Sequence, residues 1–181
     1  MTRDLPEIRR LAAHELGRVV EIDVTETDDV VLVQHGRTVA ETRRTWSRPA
    51  RDERAWSRHV AGWKTTLAEG GVAWGAFVDG RLVGVIVLRR RVRPPATDQL
   101  EALFVDRAAR RRGIGSALIA LLEAEARAGG ARVLVVSAAP SRSAVGAYLR
   151  TGFTPTDEPV PELVALEPED VQLEKALEQA G

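Results

Sequence analysis

The 181-residue chain contains no cysteine. That excludes disulfides, thiolate metal sites and a cysteine nucleophile. Lysine is nearly missing too: Lys64 and Lys175 are the only two, so the basic side chains are almost all arginine. No apolar run approaches the ~20 residues that a bilayer-spanning helix needs. Basic and acidic residues balance at 26 each. A chain without basic excess lacks the charge that nucleic-acid or membrane-surface binding requires. His14, His35 and His59 show no metal-ligand spacing. Met1-Thr2-Arg3-Asp4 lacks the basic-then-apolar layout of a signal peptide. The expectation is a cytoplasmic protein with no metal, no nucleic-acid partner and no membrane partner.

What is present reads as one globular domain, residues 1–181, with 44% apolar and 29% charged residues. No internal repeat or linker interrupts it. Asp4-Leu-Pro-Glu7 has the makings of a helix start, and Leu5, Ile8, Leu11, Ala12 and Leu16 continue at helical spacing. Val19–Val24 is short and β-rich. Val30–Gln34 and Thr38–Arg43 flank His35-Gly36-Arg37, a hairpin turn. Trp56, Val60, Trp63 and Leu67 form the stripe of an amphipathic helix over Arg51–Glu69. Val72–Val78 and Leu82–Arg91 are strands joined by Asp79-Gly80, a favoured tight-turn pair. Asp98–Val105 and Arg132–Ser137 are strands on either side of a strong helix, Ile114–Ala128. Ser141–Thr151 is a shorter helix. Phe153–Thr156 and Val171–Lys175 are two last strands, separated by a loop rich in Pro and Glu. Strands and helices in mixed order predict an α/β (mixed α+β) fold.

The stretch from Leu103 to Leu118 carries the chemistry. A strand ends near Val105, a short basic loop follows, and a helix begins near Ile114. The first turn of a helix has unpaired N–H groups, and its dipole adds partial positive charge. Gly113 and Gly115 let a phosphate oxygen approach the backbone. Arg110, Arg111 and Arg112 add full charge, and Ser116 adds a hydroxyl. The pattern is not a Walker loop, because no Lys is present, nor a Rossmann fingerprint, because Leu118 stands where a third Gly or Ala belongs.

Arg110-Arg-Arg-Gly113-Ile-Gly115 resembles the Gln/Arg-x-x-Gly-x-Gly/Ala signature of the GNAT superfamily of N-acyltransferases. Ser141-x-x-Ala144-x-x-x-Tyr148-x-x-x-Gly152-Phe153 is similar to a second motif of that family, departing from it at Ser141, where Asn is usual. The resemblance covers roughly residues 72–175. Over the first ~70 residues it is poor: the family's opening strand is missing from the reading, and an extra hairpin appears. That region is expected to face the acceptor.

The resemblance implies a central, largely antiparallel sheet with a parallel, splayed strand pair, flanked by helices. It implies acetyl-CoA as cofactor, with the pyrophosphate on the amides of Gly113, Ile114, Gly115 and Ser116 and the charges of Arg110, Arg111 and Arg112. The pantetheine arm is then expected along Leu103, Phe104 and Val105, with Ser141 as a further contact. Tyr148 matches the residue that protonates the departing sulfur. Glu101 is the candidate base, on a strand face shared with Gln99, Leu103 and Val105 by simple alternation. The resemblance implies acetyl transfer to an amine, and an amine with pKa about 10 must lose a proton before attack, which is the task of a base. The acceptor is a small-molecule or peptide amine, and a homodimer is an open expectation. The alternative is a non-catalytic CoA-binding or regulatory module on the same fold.

Overall fold

The computed structural model describes residues 6–178. The chain runs through strand β1 (Glu7–Arg10), a 3₁₀ helix (Ala13–Glu21), strands β2 (Glu26–His35) and β3 (Thr38–Arg48), and helix α1 (Glu53–Ala68). Strands β4 (Val72–Val78), β5 (Arg81–Arg93) and β6 (Thr97–Val105) follow, then α2 (Ile114–Ala128), β7 (Val133–Ala138) and α3 (Arg142–Arg150). Strand β8 (Thr154–Pro155), helix α4 (Pro161–Leu166) and strand β9 (Val171–Ala176) complete it. The main sheet has the order β1-β4-β5-β6-β7-β9-β8, while β2 and β3 pair only with each other. Every neighbouring pair is antiparallel except β6–β7. The predicted mixed α/β fold, with its single parallel pair, is the fold observed.

Local chemistry explains the central elements. Asp79 and Gly80 both take positive φ, 51° and 75°, the requirement of a type I′ turn that matches strand twist. The near-continuous apolar run of β5 fits a strand buried on both faces. One face is covered by α1 and the 3₁₀ helix, through Trp56, Trp63, Leu16 and Val19. The other is covered by α2 and α3, through Leu118, Leu122, Val145 and Tyr148. Leu118 and Leu122 are fully buried, so truncating either to Ala costs about 2–5 kcal/mol.

The N-terminal region departs from its reading. Glu7–Arg10 is not helical but a strand on the open edge of β4, pairing Glu7 with Phe77 and Arg10 with Trp74. The family's opening strand is therefore present. Helical spacing misleads here because arginines act as face residues: Arg9 stacks over Phe77 at 4.4 Å and Arg10 over Trp74 at 5.3 Å. The period is two, hidden by charge. Asp4 and Leu5, offered as that helix's start, lie outside the described residues. Val19 and Val20 belong to the 3₁₀ helix, not to a strand, and the Pro/Glu-rich loop contains α4.

The β2–β3 hairpin lies on the α3 and β9 side. Leu32 N–H donates to Pro140 O at 2.9 Å. The Gln34 amide bridges to Thr156 O and receives Gln172 N–H at 2.7 Å. Arg142 pairs with Asp28, Asp29 and Glu41. This clamp sets where the far end of β3 falls.

Candidate active site

Strands β6 and β7 pair only at Thr97–Val133, Asp98–Leu134 and Gln99–Val135. Beyond Gln99, β6 stays with β5 and β7 stays with β9. The sheet therefore splits. A cavity of about 1220 Å³ occupies the split, wider than the 300–1,000 Å³ usual for one drug-sized ligand.

The helix starts around it differ in kind. Asp52 caps α1, accepting from Ala55 N–H at 2.8 Å. Ser141 caps α3, accepting from Ala144 N–H at 3.2 Å. Gly113 precedes α2 with no side-chain cap. Among the described residues, the N–H groups of Gly113, Ile114, Gly115 and Ser116 have no protein acceptor. Gly113 has φ 80° and Arg111 φ 59°, an alternation that turns successive amides toward one point. A Cβ on Gly113 would meet nothing within 4 Å, and one on Gly115 would meet only Val105, at 3.8 Å. The cradle is open, positively polarised and lined by all four residues. A coenzyme diphosphate fits that donor set.

The arginine triplet separates. Arg110 lines the cavity, donating from Nε to Val105 O at 3.2 Å and facing Glu26 at 3.7 Å. Arg111 also lines it; Arg112 is exposed and does not. Ser141 is wholly buried under its capping bond and does not line the cavity either. Asp106 fixes the loop's entry, accepting from Asp23 N–H, Ala108 N–H and Arg81.

Leu103, Phe104 and Val105 line the split. Asp106 N–H donates to Val83 O on the β5 side. Amide directions alternate along a strand, so Leu103 and Val105 N–H point to the side that β7 has left. Glu101 does not share a face with Leu103 and Val105. Leu100 pairs with Leu88 and Ala102 with Val87, so Glu101 is the extra residue of a bulge. The bulge resets alternation. Glu101 turns toward α1, where Thr66 Oγ1 donates to its carboxylate at 2.6 Å, while Leu103 and Val105 pack with the α2 cluster. Burial raises the Glu101 pKa against the opposing Thr66 bond.

Tyr148 reaches the cavity from α3, its ring edge-on to Phe153 at 5.6 Å. Burial raises its pKa further above neutrality, so it carries its proton at pH 7. Sequence reasoning missed several neighbours. Asp170, at the end of the Pro- and Glu-rich loop, lines the cavity and accepts from Ser137 Oγ at 3.1 Å. Burial pushes it up to about 6. Arg48 at the end of β3 and Arg51 before α1 both stand over Phe104. His59 continues the α1 stripe and is pushed down to about 4 by burial and by Arg51, Arg58 and Arg48. The spacing Trp56-His59-Val60-Trp63 holds the signal for His59; nothing local marks Arg48 or Asp170.

Among the described residues, no group of acidic and histidine side chains could hold a metal ion, and no helix is long and apolar enough to cross a membrane.

A sheet split at its one parallel pair, with an uncapped helix start opening onto the split, defines an acyltransferase scaffold. Residues 37–153 match the acetyltransferase (GNAT) family, and the chain belongs to that family. None of the curated proteins matches the chain. Solved structures share the fold. Nourseothricin acetyltransferase superposes with a TM-score of 0.72 at 18% identity, covering 97% of this chain and all of its own. A Bacillus anthracis protein assigned as a streptothricin acetyltransferase, solved with acetyl coenzyme A, gives 0.68 at 18%, covering 96% and 99%. PaiA N-acetyltransferase from Thermoplasma acidophilum, solved with coenzyme A, gives 0.62 at 16%, also covering 96% and 99%.

Proposed function

We propose that the protein is an acetyl-CoA-dependent N-acetyltransferase that moves the acetyl group directly to an amine acceptor. The observation that carries this reading is the row of unpartnered amides at Gly113–Ser116, opening on a cavity that continues through the split to Tyr148. Acetyl-CoA supplies the activated thioester. The chain supplies the rest. The amides at the start of α2 hold diphosphate, and the helix dipole favours its charge. The Val105 N–H, aimed into the gap, donates to oxygen charge that develops during transfer. Tyr148, kept protonated by burial, gives a proton to sulfur. The amine proton goes to a wall carboxylate. Glu101 is one candidate, and Asp170, with a pKa of about 6, is placed for the same task.

Purified protein should bind acetyl-CoA by calorimetry and release free thiol when offered amines. Tyr148→Phe should lower turnover by roughly 10²-fold with acetyl-CoA affinity intact. Binding without thiol release across a broad amine panel would instead favour a non-catalytic CoA-binding module.

A further inference from the structure

At the end of the cavity formed by β3 and α1, two guanidinium groups lie against aromatic faces. Arg48 is 5.2 Å from the Trp46 ring centre and 5.6 Å from that of Phe104. Arg51 is 4.9 Å from Trp56 and 5.5 Å from Phe104. Neither is well compensated. The Arg48 side chain is only 17% exposed, and its single ion pair among the described residues is Glu26 at 3.8 Å. Glu26 is also the partner of Arg110, at 3.7 Å. Among the described residues, no carboxylate lies within 4.0 Å of the Arg51 side chain; its Nη1 lies 2.7 Å from His59 Nε2. That imidazole is neutral at pH 7, so it accepts the bond and adds no negative charge.

Other arginines of the chain are treated differently. Arg90 meets both Asp98 and Glu125, and Arg142 meets three carboxylates. A guanidinium withdrawn from water normally has a carboxylate or a close network of acceptors. Arg48 has ring faces and an acid shared with Arg110, and Arg51 has ring faces and an imidazole. Asp170 and Glu167 act on them only from beyond ion-pair distance, and both arginines line the cavity. The missing negative charge is therefore one that arrives with a ligand. Diphosphate already has its cradle at α2. Glu101 and Asp170 line the same cavity and suit an ammonium group.

We infer that the acceptor is a small amine that also bears a carboxylate, with Arg48 and Arg51 holding the carboxylate while the amine faces the split. Planar guanidinium groups suit a carboxylate because two parallel N–H bonds can form to it. The inference rests on the acetyltransferase reading and narrows its substrate class.

The test offers matched acceptors to protein saturated with acetyl-CoA and follows thiol release: free amino acids, the same amino acids as carboxamides, and alkylamines without the carboxylate. Free amino acids should be preferred, and Arg48→Met or Arg51→Met should lower kcat/KM for them by roughly 10–100-fold. Acetyl-CoA affinity should stay unchanged in both variants. A second readout needs no turnover: free amino acids should perturb the fluorescence of the nearby tryptophans, and the variants should abolish the response. Arg51 lies outside the strands, so its variant keeps the test open if Arg48→Met fails to fold. Equal use of acids, amides and alkylamines overturns the inference and leaves the acetyltransferase reading standing. So does a fall in acetyl-CoA affinity in the variants, which would assign the arginines to the coenzyme. Silence of both readouts toward every free amino acid overturns it too. Absence of acetyl-CoA binding in the unaltered protein removes the parent reading and this inference with it.

Discussion

The two ends of the cavity are built from different parts of the chain. At the α2 end the surface is backbone: four amides without acceptors among the described residues, a left-handed glycine and space where side chains are missing. At the β3 and α1 end the surface is side chain: Arg48, Arg51 and His59, from the β3–α1 stretch, meet Phe104 of β6. A backbone site is set by local conformation and tolerates little change at its glycines. A side-chain site is set by packing and can change its ligand by single substitutions. The first suits a ligand fixed by chemistry, the second a ligand that sets specificity.

The sharpest way to break this contrast is at Gly113. Gly113→Asp puts a carboxylate at the cradle and an L side chain at φ 80°. Acetyl-CoA affinity should fall at least about 100-fold, measured by calorimetry, since two charge-assisted bonds at roughly 1.5–3 kcal/mol each are lost. Unchanged affinity would remove the cradle from the coenzyme site. A smaller effect separates chemistry from burial at Asp170. Its folded pKa, about 6, lies above the ordinary carboxylate value. Folding is therefore favoured by the protonated form below about pH 4, and that advantage is lost as pH rises toward 6. Asp170→Asn should thus raise the stability of the ligand-free protein by on the order of 1–3 kcal/mol at pH 8 and by much less at pH 4, read from denaturant melts. Equal gains at both pH values would contradict the buried charge. If Asp170 also takes the amine proton, the acid limb of the kcat/KM profile near pH 6 disappears in the variant. The smallest effect is expected at Ser141. Ser141→Ala should cost about 1 kcal/mol as a lost cap and leave acetyl-CoA affinity within twofold; a large affinity loss would return Ser141 to the coenzyme site.

The same contrast explains what could be read in advance. The α2 cradle is contiguous, so a strand, a basic loop, two glycines and an amphipathic helix announce it within sixteen residues. The apolar spacing of Ile114–Ala128 matches the α2 bounds, and Asp79-Gly80 marks the β4–β5 hairpin. The opposite end was illegible because Arg48, Asp170 and Glu26 acquire meaning only when the hairpin clamp and the sheet split bring them together. Strand β1 was hidden because stacked arginines carried its face pattern. Glu101 is legible as a candidate, but simple alternation gives it the wrong face, because the bulge at that residue resets the pattern.

A crystal structure with coenzyme A bound addresses the backbone site most directly. Diphosphate oxygens should lie within about 3 Å of the amide nitrogens of Gly113–Ser116, with the thiol arm between β6 and β7 pointing toward Tyr148. Diphosphate bound instead at Arg48 and Arg51, with the α2 amides facing only water, would contradict the assignment of the two ends.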